Sequence, residues 1–453
     1  MTAGTAHEPF WGDERPAVDG VLRWVADRVT RASDPKSTAR PASELAADAG
    51  PTVTPAGIGW QAALRIFDEV LVPATRAQDD PLNLAYVPGA PTRSAIAFDL
   101  ATSAANVFAG MWEAGAGAIH AENQALGWLV DLLGWPATAG GTFVSGGTMG
   151  NLAALMTARE TALTRRGARP ADGWALACTD GAHSSIRGAA RILDVGVVTV
   201  PEDARGHLTG GALRQVLAAN PNVFAVVASA GTTNAGIIDD LADVADVCAE
   251  HGVWLHVDGA YGGAALAAPS VRHLFDGVER ADSFIVDPHK WLFAPYDCCA
   301  LLYRDPSTAR AAHSQHASYL DLIDREAWNP ADLAPHLTRR ARGLPFWFSL
   351  AVHGTDEYRT AVETTLAIAR EVAAGIAVRP HLRLLRQPEL SVVLFDRPGW
   401  EPADYQAWSH RAAIEGAILC VPTQWRGRTA LRLAFVNPDT EPERVLAALD
   451  TLR

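Results

Sequence analysis

Asp287, Pro288, His289 and Lys290 close the apolar run of DSFIVDPHKWLF. A lysine among such neighbours more often lays its stem along apolar surface and keeps its head in water. If it is buried, desolvation lowers its pKa and makes it an amine nucleophile suited to Schiff-base chemistry. In WLHVDGAYGGA a second apolar run ends in Asp258, followed by small residues. At the carboxyl edge of a parallel sheet that acid points into the crevice where ligands bind; its simpler role is to cap the segment that follows. In VSGGTMGNLAALMTARE a strand end passes through Ser145, Gly146, Gly147 and Thr148 into a helical pattern. Glycines allow close backbone approach, and the free N–H groups of a helix start favour an anion, typically phosphate. Thr148 adds a hydroxyl donor or caps the helix, and a plain strand–turn–helix joint remains the simpler reading. The segment lacks Gly-Lys-Thr and G-x-G-x-x-G, so it is neither a P-loop nor a dinucleotide fingerprint. His183, in DGAHSSIRGAA, opens a helix after the strand WALACTD. It either caps that helix or offers an imidazole to stack on a planar ligand.

Together these residues meet the needs of pyridoxal phosphate. Its phosphate wants a helix N-terminus, its pyridinium nitrogen a carboxylate, and its aldehyde a lysine. Asp258 would keep the ring cationic and able to accept electrons released at a substrate α-carbon.

The positioning elements are legible in the texture around the motifs. From Gly140 short β-prone runs alternate with helical segments: GTFVS, WALACTD, VGVVTV, VFAVVAS, WLHVDGA, DSFIVD and CCALLYR. Continuous apolar strands separated by helices indicate βαβ units and a mostly parallel sheet covered on both faces. Before it, RPASELAADAGPTVTP reads as a linker or arm, a helix is expected from Trp60, LNLAYVPGAP is a Pro/Gly loop, and two Ala-rich helices follow. From Leu344 one long helix is expected up to Arg379, then a smaller α+β unit containing LSVVLFD, GAILCV and TALRLAFV as strands. The expected division is an N-terminal arm and helical segment over 1–95, a large domain over 96–343 and a small domain over 344–453.

Composition excludes several classes. With 38 Lys and Arg against 51 Asp and Glu, the formal charge is −13; the basic pairs Arg165-Arg166 and Arg339-Arg340 are too short for a nucleic-acid footprint. Cys178, Cys248, Cys298, Cys299 and Cys420 include no CxxC pair, so neither a disulfide framework nor a zinc or other metal site is expected. No apolar run reaches the roughly 18 residues of a membrane span, and MTAGTAHEPFWGDERP does not read as a secretory signal. A cytoplasmic location is expected.

The motifs VSGGTMGNLAAL, AHSSI, ASAGTTNAGIIDDL, WLHVDGAYGGA and DSFIVDPHKWL, in this order, resemble those of the pyridoxal phosphate-dependent group II amino-acid decarboxylases. That family includes the aromatic-L-amino-acid, glutamate and diaminobutyrate decarboxylases. The resemblance runs from about Glu122 to Gly354 and returns weakly at LRLAFVNPDT. It implies the fold-type I, aspartate aminotransferase-like architecture and a homodimer with active sites at its interface. By the resemblance, Lys290 carries the cofactor, Asp258 pairs with the pyridine nitrogen, His183 stacks on the ring and Ala260 lies against its other face. Gly147, Thr148 and His289 hold the phosphate, and Thr233 sits near the ring hydroxyl and Asp258. The implied activity is that of a carboxy-lyase releasing an amine and CO2 from an L-amino acid.

Two segments depart from the family pattern. In GAGAIHAENQALGWL, Glu122 matches, but Ile119 and His120 stand near where many relatives have Ser-Pro, so a catechol-like specificity does not carry over. Relatives also carry a proton-donating Tyr shortly before a motif resembling Arg339-Arg340-Ala341-Arg342. EAWNPADLAPHLTRRARGLPFW contains no Tyr; Asn329 or Pro330 falls nearest the position, and Tyr319 lies upstream. Relatives without this Tyr can release an aldehyde, so oxidative decarboxylation–deamination is the alternative product route; an insertion that displaces the count is the other explanation. Another fold-type I reaction and a catalytically inactive scaffold are the remaining alternatives. Phe10, Trp11, Tyr86, Phe108 and Trp112 fall in the N-terminal region that forms pocket walls in relatives, which favours an aromatic or bulky apolar substrate.

Overall fold

The computed structural model describes residues 14–87, 89–314 and 328–452. The seven apolar runs that begin at Gly140 become strands of one sheet: β1 (Gly140–Val144), β2 (Ala175–Cys178), β3 (Gly196–Thr199), β4 (Val223–Ser229), β5 (Trp254–Asp258), β6 (Ser283–Val286) and β7 (Cys299–Tyr303). They lie in the order β1-β7-β6-β5-β4-β2-β3. Only β7 runs against its neighbours; the other pairs are parallel. Helices cover both faces, so side chains of one strand enter two separate cores: Ala175 and Ala177 join one, Leu176 and Cys178 the other. Double coverage is why these strands read as unbroken apolar runs rather than alternating ones. β3, at the edge, is the exception, with every residue at least partly exposed.

A second, antiparallel sheet follows, in the order β10-β11-β9-β8. It comprises β8 (Arg383–Leu384), β9 (Val392–Asp396), β10 (Pro422–Trp425) and β11 (Arg428–Ala434). Val393, Phe395, Leu431 and Leu433 pack there against Val372, Trp408 and Leu449 from three helices. The mostly parallel central sheet with a small C-terminal α+β unit is the architecture expected of fold type I.

Three local expectations change. The helix from Leu344 is two helices, Leu344–His353 and Thr355–Ala377, because Gly354 adopts φ +78° and breaks the hydrogen-bond ladder. GAILCV does not join the small sheet as a strand: Leu419 exchanges hydrogen bonds with Leu82 and Leu84 of the N-terminal Pro/Gly segment, a pairing no local pattern announces. The arm segment contains the helix Ala42–Ala49, and Arg15–Thr30 is helical before it. Among the described residues no helix is long and apolar enough to cross a membrane, and all five cysteines are buried and free.

Candidate active site

Parallel strands bring their carboxyl ends to one edge of the sheet, and there a cavity of about 280 Å³ opens. All eight residues singled out in the sequence line it: Gly147, Thr148, His183, Thr233, Asp258, Ala260, His289 and Lys290. Beyond β1 the chain turns through Ser145 and Gly146 into the helix Gly147–Arg166, whose N-cap, Gly146, offers no side-chain acceptor. The Met149 amide already bonds the Gly146 carbonyl, which leaves the Gly147 and Thr148 amides without a backbone partner among the described residues. The helix can sit this close because Gly150 has no Cβ; one would lie 2.8 Å from Ile285 Cγ2 on β6.

At the end of β5, Asp258 is buried. Its Oδ2 accepts from Asn151 Nδ2 at 2.9 Å and its Oδ1 from the Ala260 amide at 3.1 Å. The carboxylate thus caps the segment that follows and at the same time lines the cavity. Thr233 lines the same cavity, yet Asp258 takes its hydrogen bonds from Asn151 and Ala260. His183 also has both roles open to it. Its Nδ1 accepts from the Ser185 amide at 3.2 Å, capping the helix Ser184–Ile192, while the residue as a whole stays exposed at the cavity.

Lys290 lies on the single turn Pro288–Trp291 just past β6. Its Nζ is 3.1 Å from Asp287 Oδ2, and His289 Nε2 is 3.6 Å from the same oxygen. Asp287 is buried, and its Oδ1 has no hydrogen-bond partner among the described residues. Burial pushes the Lys290 ammonium down, but the carboxylates of Asp287 and, further off, Asp258 outweigh it and hold its pKa above the ordinary lysine value. The expected depression is thus reversed, because a charged neighbour accompanies the burial. His289 moves the other way, lowered mainly by burial. The Pro/Gly loop backs this turn closely: a Cβ on Gly89 would lie 2.2 Å from the His289 carbonyl oxygen.

An open helix start, a buried carboxylate and an amine around one cavity fit pyridoxal phosphate, and the orphaned Asp287 oxygen marks a polar wall near the amine. A pyridoxal-dependent decarboxylase conserved domain matches residues 53–397. The chain belongs to the pyridoxal-dependent decarboxylase family. It is 32% identical over 411 residues to L-2,4-diaminobutyrate decarboxylase of Rhizobium meliloti (strain 1021), covering 87% of this chain and 82% of that one. Aromatic-L-amino-acid decarboxylase of Bacillus atrophaeus is 30% identical over 385 residues, 81% of this chain and 79% of its own. The crystal structure of Oryza sativa TDC with PLP and tryptamine shares the fold, with TM-score 0.88, 24% identity and 98% of each chain covered. Pyridoxal phosphate is the cofactor of this decarboxylase, and amino-acid decarboxylation is its reaction.

In this decarboxylase the Arg339-Arg340-Ala341-Arg342 motif is held by ion pairs to three other segments. Arg339 makes two 2.7 Å bonds to buried Glu122, Arg340 reaches Asp99 at 2.8 Å and Arg342 reaches Asp297 at 3.1 Å. Asn329, nearest the position of the relatives' Tyr, is buried, and its Oδ1 accepts from the Trp112 amide at 2.9 Å. Neither it nor Pro330 lines the cavity. Tyr319, Phe10 and Trp11 lie outside the described residues. Tyr86, Phe108 and Trp112 are not on the cavity wall of the single chain.

The fold brings four further residues here. Asn151, Asp287 and Tyr296 line the cavity. Arg432, in the weakly matching LRLAFVNPDT, is buried and donates to the Thr233 carbonyl at 2.7 Å and to the Ala85 carbonyl. Its guanidinium makes no ion pair among the described residues. Only Asp287 had a local signal, since positions three apart on a helical turn meet on one face.

Proposed function

We propose that the chain decarboxylates an aromatic or bulky apolar L-amino acid to its amine, with Lys290 as the amine that anchors the cofactor. The observation that carries the site assignment is the placement of Lys290, Asp258 and the Gly147 helix start around one cavity. Pyridoxal phosphate supplies the electron sink for the pair left at the α-carbon when CO2 departs. Asp258 would hold a proton at the ring nitrogen. His183 and Ala260 would bracket the ring, Thr233 would lie toward its hydroxyl, and the Gly147–Thr148 amides with His289 would take the phosphate. The chain's main contribution is orientation, which decides the bond that breaks.

The substrate class is supported by the Tyr296 and His289 rings, 5.0 Å apart, with Tyr296 53% exposed at the cavity. The Bacillus relative is named for aromatic substrates and the Rhizobium one for diaminobutyrate, so both belong in the assay. Tyr296 is also the proposed proton donor to the α-carbon. The other cavity tyrosine, Tyr261, is committed to Ser391, whose Oγ lies 2.5 Å from its hydroxyl.

We further propose a homodimer in a reducing, cytoplasmic setting. Exposed Val18, Leu22, Phe67 and Leu71 on the N-terminal helices support a covered face, and the five unpaired cysteines suit that compartment. Light scattering should give twice the chain mass; a monomer at micromolar concentration counts against the dimer.

The deciding assay incubates the protein and pyridoxal phosphate with tryptophan, tyrosine, phenylalanine, leucine, glutamate and 2,4-diaminobutyrate. Amine and CO2 from an aromatic or bulky apolar member, absent in Lys290→Ala, is the expected result. The rival route consumes O2 and water and yields aldehyde, CO2, ammonia and hydrogen peroxide; peroxide matching aldehyde would replace the amine reading.

A further inference from the structure

A buried chain of hydrogen bonds ends on Asp258, and the donor capacity of each member sets its direction. Trp254 Nε1–H can only donate, and it lies 2.8 Å from Ser283 Oγ. The Ser283 hydroxyl hydrogen is then free for His256 Nδ1, also at 2.8 Å. With Nδ1 accepting, the neutral imidazole carries its hydrogen on Nε2, 2.8 Å from Asn151 Oδ1. The Asn151 NH2 group therefore faces Asp258 Oδ2 and Ser185 Oγ, each at 2.9 Å. An ionised carboxylate only accepts, so the amide has no other orientation that satisfies it. Ser185 Oγ, accepting from Asn151, gives its own hydrogen to His183 Nδ1 at 2.8 Å.

All the members from Trp254 to Asp258 are buried. Burial outweighs the nearby Asp258 charge and holds His256 down to about 4, which agrees with the neutral ring. Every link donates toward the carboxylate, and aligned hydrogen bonds in a low-dielectric interior polarise one another.

We propose that Asn151 is a positioning residue for the reaction: its amide, fed by Trp254, Ser283 and His256, holds the Asp258 carboxylate in place and aimed at the ring nitrogen. Through Ser185 the same amide fixes Nδ1 of His183 as an acceptor, so one side chain couples the residue at the ring's edge to the residue over its face. The proposal rests on the reading that Asp258 meets the pyridine nitrogen.

The test loads the holoenzyme with pyridoxal phosphate carrying 15N in the ring and reads that nitrogen by NMR, beside the visible cofactor band and its pH midpoint. Asp258→Ala should lose the protonated-nitrogen signal; if it does not, the Asp258 assignment itself fails. With Asp258→Ala behaving as expected, Asn151→Ala should move the signal part of the way. It should also lower kcat, with KM little changed. Ser283→Ala, two links further back, should move the signal the same way by less. His256→Gln can donate to Asn151 and accept from Ser283, and should retain the wild-type signal, whereas His256→Phe should not. A purely structural role would lower thermal stability and leave the 15N position, the band and its pH midpoint unchanged in Asn151→Ala and His256→Phe; that result overturns the proposal. Should Asn151→Ala fail to fold, the contrast between the two His256 variants and the Ser283 shift decide it alone.

Discussion

Lys290 Nζ stands 3.1 Å from Asp287 Oδ2, three positions away on the same turn. Before the cofactor is bound, this contact keeps the amine protonated and so withholds the lone pair that must attack an aldehyde. Asp287→Asn should therefore shift the pH profile of cofactor capture by the unloaded enzyme downward. Stopped-flow absorbance across pH reads this directly. Coincident profiles for the two proteins would show that Asp287 does not govern the amine.

The Arg339–Glu122 pair is almost wholly enclosed, with side chains 1% and 3% exposed, and Glu122 also accepts from the Gly343 amide at 2.8 Å. Glu122→Gln leaves a buried guanidinium without its counter-charge, and should cost about 3–5 kcal/mol. Urea denaturation measures it through the midpoint. Replacing both residues with apolar ones of similar volume should recover much of the loss, since the pair's own desolvation disappears with it. A single-variant loss below about 1 kcal/mol would contradict the enclosure.

Stability should fall as pH rises through and above the ordinary histidine range. His207 lies 3.0 Å from Glu389 Oε1, and that hydrogen bond raises its pKa above the ordinary histidine value despite burial. A raised folded-state pKa contributes stability that is complete below the unfolded value and disappears as pH passes the folded one. Asp239, which burial pushes up to about 7 against the amides of Ser229 and Leu208, acts in the same direction at lower pH, its contribution being lost between the ordinary carboxylate value and about 7. Thermal melts at pH 5.5 and 8.5 should show a smaller drop for His207→Gln than for the wild type; equal drops would remove His207 from the account. At the acid end, burial raises Asp203 but the amides of His207 and Arg205 prevail and bring it to about 2. Its contribution, present above the unfolded carboxylate pKa, is lost only as pH falls toward that value.

Tyr296→Phe should lower amine formation by about a hundredfold or more, the scale of a lost general acid, and raise the aldehyde-to-amine ratio. Burial holds the Tyr296 phenol above its ordinary pKa, so it keeps its proton at neutral pH. An unchanged ratio and rate would send the search for a donor to residues outside the described ones.

Much of the molecule was legible locally. Each of the seven runs from GTFVS to CCALLYR is a strand of the central sheet, because continuous apolar character bounded by turns reports double burial. The residues at strand ends were legible for the same reason: Asp258 and Lys290 interrupt apolar runs where parallel strands must finish. GAILCV misled because its segment pairs with residues 82–84, far off in sequence. Gly354 concealed a helix break within a helical period, since a single glycine is compatible with either outcome.

What the sequence by itself determined is the set of groups: a strand-end acid, a lysine, a helix start free of a capping side chain, and their order along a βαβ chain. Local periodicity and backbone chemistry act over a few residues, and these features need no more. Which neighbour each group answers to was decided only by the tertiary structure. Asn151 meets Asp258 across 107 residues and His256 across 105, and no spacing announces such a pair. The sign of the Lys290 perturbation likewise depended on how burial and two carboxylates balance in space. Burial acts on a group wherever it lies, but a charge or a hydrogen bond acts only over a few ångströms, and packing alone sets those distances.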